Sequence, residues 1–269
     1  MTSGADVGST MKLARYRTAA GRIAWGAERP DGGFDRLAGP PHGGIVRSGE
    51  RDAAVEVRLL APAEHPRIFG VGLNYAAHAA EAGQPAPAIP MLFMKPDSAL
   101  AGPGDPIVIP REAGRVDYEC ELVAVIGRGG RRIAEADALA HVLGYTCAND
   151  VSHRPIQFAE MKMGTLLVGK AFDTFCPVGP VIATGLDPGR LDIATRLNGR
   201  VCQSSNTSDL LFGVPKLVSY LSQAITLRPG DLILTGTPSG IGPVVPGDVV
   251  EIEIEGIGVL RNPVVAEAT

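Results

Sequence analysis

The chain has 269 residues, 45% of them hydrophobic and 20% charged, with a formal net charge of −4. That is enough chain to bury a sizeable core without disulfide or metal staples, and the composition is that of a globular protein, not a disordered one. The acidic balance leaves no basic footprint for nucleic acid, and no apolar run approaches the roughly 18–20 residues of a membrane helix, so an anionic ligand must be held by a local site.

Residues 1–10, MTSGADVGST, are small and polar and lack the charged start and apolar stretch of a signal peptide. They read as a frayed tail or as an upstream start before Met11, which opens the first stretch with structural character. Residues 11–65 predict a small N-terminal β segment: RIAWGAE is a strand, PDGG a turn and AAVEVRLLA a further strand. A bend at Pro62 and Pro66 separates it from the main body, residues 66–269.

That body opens with IFGVGLNY, a strand running into a Gly-containing turn. YAAHAAEAG, 75–83, predicts a helix of about two turns stopped by Gly83. QPAPAIP follows as a Pro-rich loop that cannot join a central sheet. Helix and loop together, over 75–95, suit a lid, although a plain surface excursion has the same pattern. From residue 107 strands dominate. DYECELVAVIG predicts one long strand, IAEADALAHVLG an amphipathic helix with a Gly stop, and YTCANDVS a strand entering a loop. PKLVSYLSQAI predicts a helix with Pro215 in its first turn and Leu217, Val218, Leu221 and Ile225 on one face. DLILTGTP and DVVEIEIEGIG are further strands. PGDLI, PGDVV and the looser GDPIV share a turn that delivers an Asp into a strand, at irregular spacing that argues against a repeat. The fold class is α+β, mainly β, with peripheral helices. Cys120, Cys147, Cys176 and Cys202 are far apart, with no C-x-x-C pair, and read as reduced, mostly buried thiols of a cytoplasmic protein.

Glu119 and Glu121 are two apart on a predicted strand and share a face, with Asp117 behind them. Glu251, Glu253 and Glu255 show the same alternation, and there Ile252 and Ile254 predict a core face with the glutamates in water. The first case differs in its continuation: Leu122 to Ile126 are apolar on both faces, as in a buried strand. Two unpaired carboxylates entering such a strand cost several kcal/mol, which a cation or a Lys/Arg partner offsets. Asp150 sits at the mouth of another strand, and three carboxylates suit a hard octahedral cation. No His or Cys cluster has the spacing of a zinc site.

DYECEL, ANDVS, the stretch GKAFDTFCPVGP at 169–180 and TGTPSGIG at 235–242 closely resemble the fumarylacetoacetate hydrolase superfamily, as do GLNY near residue 72, NGR at 198–200 and SNT at 205–207. The resemblance runs over about residues 66–265, with separated motifs in the right order. It implies a mixed β-sandwich roll with peripheral helices, a homodimer, and Mg²⁺ or Mn²⁺ held by Glu119, Glu121 and Asp150. Lys170 falls where the family has a Lys near the substrate. Arg154 and Gln157 fall where family members hold the substrate carboxylate, and Thr237 matches a substrate-contacting Thr. His78 and Glu81 match a His and Glu of relatives that hydrolyse acylpyruvates, and their spacing puts both on one helical face. There Glu81 would orient the imidazole and His78 would activate water. His153 departs from the family pattern, where many relatives have a small residue; it reads as a solvent-facing change or as an altered pocket. Taken alone, Lys170 would pair with Asp173, Arg154 would be a loop cation and Thr237 a turn residue.

The implied function is Mg²⁺- or Mn²⁺-dependent cleavage of a C–C bond in a small anionic 2,4-dioxo acid such as an acylpyruvate. The enolate this chemistry passes through also serves decarboxylation of oxaloacetate-like acids, isomerisation and hydration, and fold and metal do not separate these. A non-catalytic binding protein on the same scaffold is the alternative from a different class.

Overall fold

Leu122-Val123-Ala124-Val125-Ile126 is apolar at every position, and a strand of this kind needs a core on each face. In the computed structural model, which describes residues 10–268, it receives both. The strand Cys120–Ile126 lies inside a twelve-stranded sheet, between Val142–Asn149 and Leu232–Leu234. Leu122, Ala124 and Ile126 pack into one core with Ile193, Ile252, Ile254 and Leu260. Val123 and Val125 face a second core with Trp25, Ile182 and Leu232. The first core is closed by a five-stranded sheet in the order Arg200–Asn206, Asp192–Leu197, Val249–Ile254, Gly258–Ala266 and Ile107–Ile109. The result is the mixed β-sandwich with peripheral helices expected from the sequence, an α+β fold that is mainly β. Among the described residues no helix is long and apolar enough to cross a membrane.

The expected tail at 1–10 falls almost wholly outside the described residues. The N-terminal strands extend the large sheet: Lys12–Thr18 pairs with Cys176–Ala183, Leu13 opposite Ile182. Ile23–Glu28, Phe34–Leu37 and Arg47–Asp52 follow outward from it. All four cysteines are free thiols, and all but Cys202 are buried.

The recurrent Asp turns have one cause. The carboxylates of Asp105, Asp231 and Asp248 each accept from the backbone N–H three residues back, in Gly102, Arg228 and Val245, at 2.7–2.8 Å. The intervening Gly104, Gly230 and Gly247 take φ of +77°, +87° and +101°, which favours glycine. The helix Val214–Ala224 buries Leu217, Val218 and Leu221 as predicted.

Four local expectations change. IAEADALAHVLG is not an amphipathic helix: Glu135–His141 forms 3₁₀ turns, Leu139 stays exposed, and Val142 already begins a strand. That strand is claimed on both sides by Cys120–Ile126 and Cys176–Ala183, and Gly144 lies so close to Ala183 that a Cβ there would stand 2.5 Å from its carbonyl oxygen. The long strand over 117–127 is interrupted at Glu119, where the chain leaves the small sheet of Val116–Tyr118 for the large one. Residues Ala54–Glu56 form a 3₁₀ turn before the strand Val57–Leu60. Finally, Met91–Lys95 is an edge strand paired with Ile68–Gly72, so the lid segment ends before Met91.

Candidate active site

Antiparallel register assembles the acidic cluster. Cys120 lies opposite Asn149 and Glu121 opposite Ala148, so Asp150 falls beside Glu119. The Asp150 N–H donates to the Glu119 carbonyl at 2.8 Å, and the Asn149 side chain accepts from the Glu119 N–H at 2.9 Å. Side chains of 119, 121 and 150 therefore share one side of the sheet. Glu119, Glu121 and Asp150 are 4%, 1% and 1% exposed, and each presents an oxygen within 4.8 Å of the others.

Buried cations surround them. Lys170 Nζ donates to Glu119 Oε2 at 2.7 Å and to Asp150 Oδ2 at 2.5 Å. Lys95 Nζ donates to Asp150 Oδ1 at 2.5 Å and to the Val151 carbonyl at 3.3 Å. Arg154 spends its guanidinium on Asp117 Oδ2, Glu119 Oε1 and Gln157 Oε1, at 2.6–2.7 Å. Lys170 thus does not pair with Asp173, and Arg154 is no loose loop cation. The helix Val168–Ala171 that carries Lys170 is held by the Glu160 carboxylate, which accepts from the N–H groups of Leu167, Val168 and Gly169.

Electrostatics divide the two glutamates. Burial raises the Glu119 carboxyl, but Lys170, Arg154 and His78 outweigh it and hold the group well below the usual carboxylate range. Burial, with Asp150 and Glu119 adding to it, pushes Glu121 well above that range. Among the described residues its one hydrogen bond runs from the Gly236 N–H to Oε2, at 2.6 Å. Gly236 can bring its amide there because it has φ +101° and packs where a Cβ would sit 2.7 Å from Asn74 Cβ. An all-oxygen donor set whose third carboxylate resists ionisation without a further positive charge fits a hard divalent cation. Glu119, Glu121 and Asp150 are the residues that could hold it.

The helix of the expected lid brings His78 and Glu81 to the same cavity as this cluster. In the helix Ala76–Glu81, His78 is buried and its Nδ1 lies 3.1 Å from Glu81 Oε2. Glu81 Oε1 accepts from the Gly240 N–H at 3.0 Å, which ties the helix to the TGTPSG loop. With Nδ1–H directed at Glu81, the imidazole keeps Nε2 as its basic atom. Thr237 accepts at Oγ1 from Gln203 Nε2 at 2.8 Å. His78, Glu81, Glu119, Glu121, Asp150, Arg154, Gln157, Lys170 and Thr237 all line one cavity of about 820 Å³. These are the nine residues singled out from the sequence.

His153 is neither solvent-facing nor part of that lining. It is buried, its ring stacks on Phe172 at 5.3 Å, and Nδ1 accepts from the Ile156 N–H at the start of the helix Arg154–Lys162. Its larger side chain serves as a helix cap. Lys95, Arg115 and Glu160 were not found from the sequence. Lys95 left one signal, a charged residue closing the apolar run Met91–Met94 before Pro96; Glu160 left none.

Residues 67–265 match the family described as fumarylacetoacetate (FAA) hydrolase C-terminal, and residues 11–62 match one described as Rv2993c-like, N-terminal. The mitochondrial oxaloacetate tautomerase FAHD2A of Bos taurus is 48% identical over 221 residues, covering 78% of this chain and 70% of that protein. The crystal structure of 2-hydroxyhepta-2,4-diene-1,7-dioate isomerase from Mycobacterium marinum superposes with a TM-score of 0.88 at 40% identity, over 96% of this chain and all of that one. Fumarylpyruvate hydrolase from Pseudomonas aeruginosa, in complex with Mn²⁺ and pyruvate, has a TM-score of 0.73 at 37% identity, over 78% of this chain and 92% of that one. With a match over residues 67–265 and its motifs in this order, the chain belongs to the fumarylacetoacetate hydrolase family.

Proposed function

We propose that the protein is a Mg²⁺- or Mn²⁺-dependent enzyme that interconverts the keto and enol forms of an oxaloacetate-type 2-oxo acid. The observation that carries this reading is the His78–Glu81 pair set across one cavity from a buried carboxylate cluster. Charge balance supports it. Asp117, Glu119 and Asp150 meet Lys95, Arg115, Arg154 and Lys170, three anions against four cations while Glu121 stays neutral; with a dication bound and Glu121 ionised, a dianionic substrate would restore neutrality. The bovine relative at 48% identity is named an oxaloacetate tautomerase, against 37% for the fumarylpyruvate hydrolase.

A bound cation would supply an electrophilic centre for the substrate carboxylate and 2-oxo oxygen, and would lower the cost of negative charge on that oxygen. The residues do the rest. Toward the enol, His78 Nε2 takes the C3 proton and the 2-oxo oxygen takes one from water; toward the keto form, the imidazolium delivers a proton to C3 and the enol O–H gives its proton to water. Glu81 Oε2 holds the ring in the tautomer that leaves Nε2 free, and stabilises the imidazolium that forms. Gly240 N–H fixes Glu81 in turn. Lys170 and Arg154 keep Glu119 ionised, and Lys170 and Lys95 bridge Asp150. The helix Ala76–Glu81 and its Pro-rich loop limit access of bulk water.

The same base could instead deprotonate a water that attacks the distal carbonyl of an acylpyruvate, and the His–Glu spacing favours this as the second reading. The test follows enol oxaloacetate absorbance with Mn²⁺ and with chelator, alongside acetylpyruvate and fumarylpyruvate cleavage. We expect metal-dependent acceleration of ketonisation and a loss of roughly 10²–10⁴-fold in His78→Ala. Ketonisation at the uncatalysed rate together with brisk acylpyruvate cleavage would sink tautomerisation in favour of hydrolysis.

A further inference from the structure

The inner cations of the cavity have every side-chain nitrogen already engaged with a protein partner. Arg154 is committed to three side chains and Lys170 to two carboxylates. Arg115 is different. It lines the same cavity, its side chain is 54% exposed, and only Nε is engaged, with Asp117 Oδ1 at 2.7 Å. Both terminal nitrogens of its guanidinium lack protein partners among the described residues. Asp117 keeps Arg154 on its other oxygen, so one buried cation stays with it when Arg115 is changed. The backbone of Arg115 is fixed, because its carbonyl accepts from the Arg154 N–H at 2.9 Å. Lys162, also on the cavity lining and exposed, makes no ion pair among the described residues. The cavity, about 820 Å³, is near the upper end of ordinary small-molecule sites and extends past the carboxylate cluster to Phe158, Met161, Leu166 and Ile241.

We infer that Arg115 is a specificity-determining residue: its free guanidinium edge receives a second, distal carboxylate, so the site selects 2-oxo diacids over 2-oxo monoacids. A planar fork with two unengaged N–H groups matches a carboxylate in a bidentate pair. Phe158, Met161, Leu166 and Ile241 on the same lining suit the carbon chain that joins the two ends. The inference rests on the reading of this site as one that enolises 2-oxo acids.

The experiment measures Mn²⁺-dependent exchange of C3 protons for deuterium by NMR. Substrates are the diacids 2-oxoglutarate and 2-oxoadipate and the monoacids 2-oxopentanoate and 2-oxohexanoate, matched in chain length. The readout is the diacid-to-monoacid ratio of kcat/KM, so a general loss from disturbing Asp117 cancels. The wild type is expected to prefer diacids, and Arg115→Gln to reduce the ratio by about tenfold, the scale of one charge-assisted contact. Arg115→Lys should fall between, having charge without the fork. Calorimetric Kd for 2-oxoadipate should rise in Arg115→Gln by a similar factor. Four results overturn the inference. A ratio unchanged in Arg115→Gln removes Arg115 as the selector. A ratio lowered in Lys162→Gln but not in Arg115→Gln moves selection to the helix. Equal wild-type exchange of diacids and monoacids removes the subsite and leaves enolisation standing. No exchange of any substrate removes the enolisation reading, and the subsite with it.

Discussion

Glu119-Cys120-Glu121 and Glu251-Ile252-Glu253 have the same spacing and opposite fates. In the second, alternation works as it does on any half-wet sheet: Ile252 is 1% exposed while Glu251 and Glu253 stay partly in solvent. Their partners are exposed as well, Arg261 to Glu251 at 3.4 Å and Arg196 to Glu253 at 2.7 Å. In the first, Cys120 is buried, and so are both glutamates, with cations just as buried beside them. Spacing therefore fixes which residues share a face and leaves open whether that face is wet. Elements remote in sequence decide it: the helix carrying Lys170, the strand carrying Lys95 and the helix opened by Arg154 bring buried cations to one face, while exposed Arg196 and Arg261 flank the other. The physical consequence is a difference in effective dielectric, so equal charges should have unequal energetic weight in the two places.

The sharpest way to break this contrast is to remove one cation from each region. Lys170→Met leaves Glu119 and Asp150 short of a buried partner and should lower the metal-free unfolding free energy by about 3–5 kcal/mol in urea titration. Saturating Mn²⁺ should restore part of it, because the ion binds the native state and returns positive charge to the cluster. Arg196→Met should cost no more than about 1 kcal/mol. Equal effects of the two substitutions would mean that the buried cluster is solvated far more than its geometry allows.

A second comparison concerns the carboxylates themselves. Glu121→Gln removes a candidate metal ligand and a raised-pKa acid, keeps the side-chain shape, and retains an oxygen for the Gly236 amide. Calorimetric Mn²⁺ affinity should fall by about a hundredfold or more, beyond what loss of an outer partner costs. The variant should remain folded, since a neutral group at that burial avoids the charge penalty. An unchanged affinity would take Glu121 out of the metal site.

The same contrast explains what could be read in the sequence. The apolar run after Glu121 announced a strand buried on both faces, and Leu122 to Ile126 do divide between two cores. The Asp turns were legible because their chemistry lies within four residues. The break at Glu119 was not, because the group that takes its N–H belongs to Asn149, thirty residues on. Helix propensity in EADALAH was overridden at Val142 by strands on both sides, a decision local sequence does not contain. Lys95 reaches Asp150 across fifty-five residues, with no motif joining them. Local signals thus defined the acidic strand, while the cations that make its burial tolerable were set by tertiary packing.

The smallest effect belongs to Glu253→Gln, and its smallness is informative. Glu253 and Arg196 are 43% and 38% exposed, so water and salt already screen most of their attraction. The substitution should shift the unfolding free energy by about 0.2–1 kcal/mol at low salt and leave Mn²⁺ affinity unchanged. At about 1 M salt the Debye length is near 3 Å, and the difference from wild type should vanish. The loss in Lys170→Met should persist under the same conditions, because buried pairs are screened by salt far less than exposed ones. A Glu253→Gln effect that survives high salt would place that pair in the same dielectric class as the buried one. The identical spacing would then mean the same thing in both strands, and the face covered by remote cations would lose its distinction.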